Sequence, residues 1–176
     1  MMYSCNNKRM EDRPPSGPQS SAAFLLAQVG SLAAQEFAKL LLPLKLTPAD
    51  AGILRFLGRS PGISQQNLAR ALDMHASRLV AVIDALEKRA LVVREANAND
   101  RRIYSLRLTD AGSEMLRNLG QLARNHNESM CAGLNSAERT QLTELLQRVV
   151  AHHGLLPGIH PGYKDLRHSD KEAPTA

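Results

Sequence analysis

The apolar positions of this chain fall into short blocks whose spacing changes from helical to strand-like and back again. From Ala76 to about Arg89, Leu79, Val82, Ile83 and Leu86 stand at i, i+3, i+4 and i+7, the stripe of a helix with one buried face. Its other side carries Ser77, Arg78, Ala81 and Lys88. Ahead of it, Ser64 can cap a short helix from Gln65 to about Leu72, with Leu68, Ala69 and Leu72 inward and Asp73-Met74-His75 as a tight connection. After it, Leu91-Val92-Val93-Arg94 and Ile103-Tyr104-Ser105-Leu106-Arg107-Leu108 read as two strands. The second alternates apolar and polar residues as a half-buried strand does. Between them lies the charged tip Asn97-Ala98-Asn99-Asp100-Arg101-Arg102. This is the pattern of a helix-turn-helix followed by a basic β-hairpin.

Longer helical blocks flank that centre. Ser21 can cap a helix reaching about Leu42, where Pro43 stops it. Phe24, Leu25, Val29, Leu32, Ala33, Phe37, Leu40 and Leu41 wrap much of its circumference, so it needs cover on more than one side; its own chain covers one, and a second subunit could cover another. Thr47-Pro48 opens a helix to about Arg59, and Ser60-Pro61-Gly62 turns the chain. Thr109-Asp110 begins a helix through about Cys131, and Ser136 is expected to cap a last one from Ala137 to about His153. The expected organisation is a polar, proline-bearing tail over 1–20, helical dimerisation regions over 21–44 and 110–153, a central lobe over 45–109 and a tail over 154–176. The expected fold class is mainly α with a small β-wing.

Composition narrows this picture. With 43% hydrophobic residues but only 3% aromatic ones and no Trp, the core must be aliphatic, which suits helices. The formal charge is +5, and Lys45 to Asp110 holds 11 basic against 7 acidic residues, so 11 − 7 = +4 of the excess sits in the central segment. That location favours a polyanionic partner over general solubility. Cys5 and Cys131 are too far apart to read as a disulfide framework, and a reducing cytoplasm is the expected location. The N-terminal stretch has no apolar run of the signal-peptide kind. Gln28, Ser31, Gln35, Glu36 and Lys39 interrupt the apolar block from Ala22 to Leu46, which argues against a membrane span.

Catalytic chemistry is not in sight. The chain has no G-x-S-x-G elbow, Walker loop, H-E-x-x-H or paired catalytic carboxylates, so no enzyme and no cofactor are expected. His152, His153, His160 and His168 lack the paired spacing of a zinc motif, and Cys131 has no basic neighbour to make it reactive. The rival to DNA binding is a winged helix used as a protein-protein interaction module. Charge discriminates the two readings, since a protein-binding version need not cluster Arg78, Arg101 and Arg102 on one DNA-sized face.

Taken in order, these residues resemble the winged helix-turn-helix of the MarR (multiple antibiotic resistance regulator) family. The resemblance rests on Leu68-Ala69-Arg70-Ala71-Leu72, on Arg78-Leu79-Val80 and on Leu86-Glu87-Lys88-Arg89-Ala90-Leu91-Val92. Its most specific part is Asp100-Arg101-Arg102 followed by Leu106-Arg107-Leu108-Thr109-Asp110-Ala111-Gly112. The flanking helices extend the likeness over roughly Ala22 to His153. It implies a homodimeric bacterial transcriptional regulator whose first and last two helices intertwine with the partner. Each subunit is then expected to lay one helix in a major groove and its wing along a minor groove. A small-molecule effector or an oxidant would release the DNA. Two positions depart from the family pattern: Ala90 and Asp73 stand where Gly is usual, and a positive φ at Ala90 would carry strain.

The candidate DNA-binding residues follow. A recognition helix brings its first residues nearest the base edges, which selects His75, Ser77 and Arg78. Arg78 suits a bidentate contact to guanine O6 and N7, with a phosphate contact or plain solvation as the other readings. Ser77 can donate to a base or a phosphate, or merely support the first turn. His75 reads first as a cap or linker residue and second as a base reader. Ser64, Gln65 and Gln66 open a helix whose free N–H groups favour phosphate, capping being their other role. Lys88 and Arg89 read as solvated or paired with Glu87, and Arg94 and Arg107 as phosphate contacts or solvent-facing strand residues. Arginines such as Arg101 and Arg102 suit a narrow minor groove, and a neighbouring carboxylate can hold a guanidinium in one pose. By the family's pattern Asp100 steadies Arg102, the inserting residue, while Arg101 touches phosphate; an ordinary charged tip is the alternative.

Overall fold

The computed structural model describes residues 21–96 and 104–155. Two compact units divide the chain, one ending at Glu36 and the other starting at Phe37. Helix α1 (Ala22–Leu41) runs through that division, and the Ser21 hydroxyl caps it by accepting from the Phe24 N–H at 3.2 Å. In the first unit Phe24, Leu25, Leu26, Val29 and Leu32 are all exposed.

The second unit holds the remaining elements. After a 3-10 turn at Leu42–Leu44 come α2 (Pro48–Arg59), β1 (Ile63–Ser64), α3 (Gln65–Ala71), α4 (Ala76–Lys88), β2 (Val92–Ala96), β3 (Tyr104–Leu108), α5 (Asp110–Met130) and α6 (Ser136–His152). Proline at the first turn and a capping box start α2: the Thr47 hydroxyl accepts from Asp50 N, and the Asp50 carboxylate accepts from Thr47 N at 2.7 Å. The start of α6 differs from expectation by one residue. Asn135, not Ser136, is the cap, because Asn135 and Glu138 satisfy each other's backbone N–H reciprocally.

The strands form a three-stranded antiparallel sheet in the order β1-β3-β2. The short β1 is an addition to the expected pair of strands. Ile63 pairs with Leu106 and Ser64 with Ser105, so the residues that lead into α3 are hydrogen-bonded to the wing's second strand. Leu106 is the hub of the sheet, paired to Ile63 on one side and Arg94 on the other, and fully buried. Around it pack Ile53, Leu54 and Leu57 of α2, Leu68 of α3, and Leu79, Ile83 and Leu86 of α4. Each such side chain contributes about 1.5–3 kcal/mol by leaving water. The periodic stripe on α4 therefore faces this core, and its polar side faces outward.

Three helix ends in this unit share one device. At Lys45, Asp73 and Ala90 the backbone enters the left-handed region, with φ of 50°, 49° and 53°. In each case the next residue donates back to the carbonyl five positions earlier: Leu46 to Leu41, Met74 to Ala69, Leu91 to Leu86. This is the Schellman closure, and its apolar residues Leu46, Met74 and Leu91 are all buried. Three of these closures thus lack the glycine that would enter the region without strain. Among the described residues no helix is long and apolar enough to cross a membrane.

Candidate nucleic-acid interface

Helix α4 has the apolar anchoring and free polar face that groove entry requires. Leu79, Ile83 and Leu86 hold it to the core, while His75 and Ser77 are exposed at its start. His75 occupies the N-cap position but makes no side-chain cap hydrogen bond, so the first N–H groups of the helix have no side-chain acceptor from it. Arg78 is half-buried, and its Nε is enclosed with no hydrogen-bond partner among the described residues.

The neighbouring helix contributes a concave surface. Gln66, Arg70, Asp73, Met74, His75 and Ala76 line a cleft of about 430 Å³ between α3 and the start of α4. Arg70 was not among the sequence candidates. The signal was there, since it lies one helical turn after Gln66, but apolar neighbours hid it. The Ser64 hydroxyl accepts from Asn67 N at 3.2 Å and so caps α3, leaving its own proton free to donate.

Three arginines weighed for DNA contact are committed elsewhere. Arg94, expected as a phosphate contact or a solvent-facing residue, turns inward. Its guanidinium donates to Asp84 Oδ1 at 2.5 Å, to Glu87 Oε2 and, through Nε, to the Gln65 side-chain oxygen at 3.2 Å. The physical reason is that the outward side of α4's last turns brings two carboxylates over β2. Burial pulls the Arg94 pKa down, but hydrogen bonds and charge from Asp84 and Glu87 outweigh it and raise the pKa above its ordinary value. Arg94 thereby ties β2, α3 and α4 together, and Gln65 spends its carbonyl on the same network. Glu87 pairs with Arg94 rather than with Lys88 or Arg89. Arg89 instead donates through both terminal nitrogens to the Lys45 and Leu44 carbonyls, at 2.6 and 2.8 Å. On the sheet, Arg107 is held by Glu95 at 2.9 Å.

Asp100, Arg101 and Arg102 lie outside the described residues, as do Cys5, His160 and His168. Among the described residues no group of His, Cys, Asp and Glu side chains is arranged to hold a metal. His152 and His153 meet edge to face with ring centroids 5.1 Å apart.

Comparison with known proteins bears on this geometry. A model of the MarR family matches residues 44–103. The chain is similar to the "Putative transcriptional regulatory protein for hcr operon" of Thauera aromatica, at 36% identity over 104 residues, covering 59% of this chain and 63% of that protein. The alignment therefore spans less than two thirds of that relative's length. Among solved structures, the transcriptional repressor CouR bound to a 23-mer DNA duplex aligns with a TM-score of 0.67 and 28% identity, over 80% of this chain and 99% of CouR. The Mycobacterium tuberculosis MarR family protein Rv2887, in complex with DNA, aligns with a TM-score of 0.65 and 25% identity, over 73% of this chain and 97% of that one.

Proposed function

This chain belongs to the MarR family of transcriptional regulators, and from that premise we propose that it is a homodimeric repressor binding a two-fold, pseudo-palindromic duplex. The observation that carries the DNA-facing part is the front of α4, where partly exposed Arg78 stands beside exposed Ser77 and His75. A guanine edge or a phosphate oxygen suits the donors of a guanidinium at that position. Gln66 and Arg70 stand across the cleft from His75 and suit the adjacent sugar-phosphate backbone. Ser64 adds a hydroxyl donor at the entry to α3. Wing residues Arg101 and Arg102 would follow the neighbouring minor groove, with Asp100 orienting Arg102.

Dimerisation is supported by apolar positions that α1 and α6 leave uncovered. On α1 these include Phe24, Leu25, Val29 and Leu32, and on α6 Leu142, Leu145, Val149 and Val150. Rows of that kind mark interaction surfaces rather than scattered exposure. A two-fold dimer spaces its half-sites by one helical turn, roughly 10 bp, or a multiple of it. Repression follows from occupying the duplex, in keeping with the repressor names of CouR and Rv2887. A small molecule that altered the spacing of the two α4 helices would release it.

Selection of bound fragments from random duplex DNA tests the proposal. The expected result is one sequence with two inverted half-sites, retained by a species of twice the chain mass. Recovery of unrelated sequences, or a single-chain species on the duplex, would overturn it.

A further inference from the structure

The covalent path into the winged lobe and the path out of it are fastened to the same three residues, Arg89, Ala90 and Leu91, directly after α4. The entering strand of chain is Leu42–Lys45, between α1 and α2. Its last carbonyls, on Leu44 and Lys45, are of the kind that a closing helix leaves unsatisfied. The two-pronged guanidinium of Arg89 takes both of them, at 2.8 and 2.6 Å, across a turn where Lys45 itself has a φ of 50°. The departing segment is Thr109–Gly112, where β3 becomes α5. The Thr109 hydroxyl donates to the Ala90 carbonyl at 2.6 Å and accepts from Gly112 N at 3.0 Å. Thr109 N donates to the Leu91 carbonyl at 3.2 Å. Gly112 sits so close to that carbonyl that any Cβ would overlap the Leu91 oxygen.

The turn between these two anchors is rigid. Ala90 N and Leu91 N close back onto Glu87 and Leu86, so the three residues move with the C-terminus of α4. Arginine is suited to this position in a way lysine is not. Its planar fork reaches two carbonyls at once, whereas an ammonium is a single point donor.

We propose that Arg89 is a positioning residue: together with Thr109 it locks α4 to both connections of the winged lobe, and so sets the half-site spacing that the protein accepts on DNA. This rests on the dimeric DNA-binding reading above. Arg89 touches neither base nor phosphate in this role. This turn is one route by which movement of α5 reaches α4, beside the packing of α5 on α2.

The experiment uses the duplex that wild type selects from the random pool, and four derivatives whose central spacer is one or two base pairs shorter or longer. Affinities are measured across a salt series for wild type, Arg89→Met, Arg89→Lys, Thr109→Val and Thr109→Ser. Wild type is expected to prefer the parent spacer sharply. In Arg89→Met that preference falls by about fivefold or more, the lower end of typical coupling between sites. The salt slope stays that of wild type, because no phosphate contact is lost. Arg89→Lys behaves like Arg89→Met, since restored charge without the fork does not rebuild the clamp. Thr109→Val flattens the preference independently, and Thr109→Ser keeps it; should Arg89→Met fail to fold, this pair decides.

Equal weakening on all five duplexes with a shallower salt slope, restored by Arg89→Lys, would make Arg89 a phosphate contact and overturn the inference. An unchanged spacing preference in both Arg89→Met and Thr109→Val would overturn it as well. A wild type that selects no two-fold duplex defeats the proposed function instead, so the two failures are separable.

Discussion

Ala90→Gly should stabilise the protein, while the same exchange five residues earlier should destabilise it. Ala90 follows the C-cap of α4 with a φ of 53°, where its Cβ crowds the following carbonyl. That conformation costs an L-residue roughly 1–2 kcal/mol, which glycine avoids. Against this, glycine gives the unfolded chain more freedom, returning about 0.4–1 kcal/mol. Ala90 is exposed, so its methyl contributes little packing, and the backbone bonds of the turn, including Thr109 to the Ala90 carbonyl, survive the change. The net expectation is a gain of about 1 kcal/mol, or roughly 2–4 °C in Tm for a chain of this size. Ala85 is the control, since it is also exposed but lies inside α4, where glycine costs about 1 kcal/mol. Urea titration reads both, with the midpoint moving in opposite directions and the slope m unchanged. The reasoning is refuted if Ala90→Gly lowers the midpoint as Ala85→Gly does. Asp73→Gly should gain less than Ala90→Gly, because Asp tolerates the left-handed region better than Ala.

Gly112→Ala should be among the most damaging single changes, costing on the order of 3 kcal/mol, because its Cβ meets backbone rather than a movable side chain; a thermal melt within a degree of wild type would contradict the junction geometry. Arg94→Met should cost about 1 kcal/mol by removing the tie between β2, α3 and α4, the Asp84 and Glu87 carboxylates staying partly solvated, measured by urea titration, with the salt slope of DNA binding unaltered. Because the Arg94 pKa is raised on folding, its contribution is fully present through the neutral range and is lost only as pH climbs past the ordinary arginine range. Arg78→Ala should relax sequence preference at one base pair per half-site by about 1–3 kcal/mol in competition binding, whereas equal loss on every sequence would reduce Arg78 to a phosphate contact. Arg102→Ala should weaken binding and flatten the salt dependence by about one unit of slope, and unchanged affinity would remove the wing from the mechanism.

Much of the architecture was legible before any coordinates. Helices α2 and α3 begin where Thr47 and Ser64 indicate, because each hydroxyl accepts from a backbone N–H three residues on, and α4 begins after the break at Asp73-Met74-His75. The departure at Ala90 pointed to a strained turn, and the structure has one. Two residues of β1 carry no periodicity of their own, so that strand was invisible until its pairing with β3 appeared. The capping box at Asn135 was displaced by one position because two adjacent residues were both competent caps.

What the linear chain determined by itself is where helices start and stop, which of their faces turn inward, and that positive charge concentrates between Lys45 and Asp110. Those properties depend on hydrogen bonds and side-chain periods that span a few residues. What only the tertiary structure decided is which of those charges remain free. Arg94 finds Gln65 at a separation of 29 residues, Arg89 finds Lys45 at 44, and Thr109 finds Ala90 at 19. Such partners are chosen by how α4 packs on the sheet, since a charge near unsatisfied carbonyls or carboxylates pairs with them whatever its distance along the chain. Packing thus retired Arg94 and Arg89 into the scaffold and left Arg78 partly exposed at the front of α4.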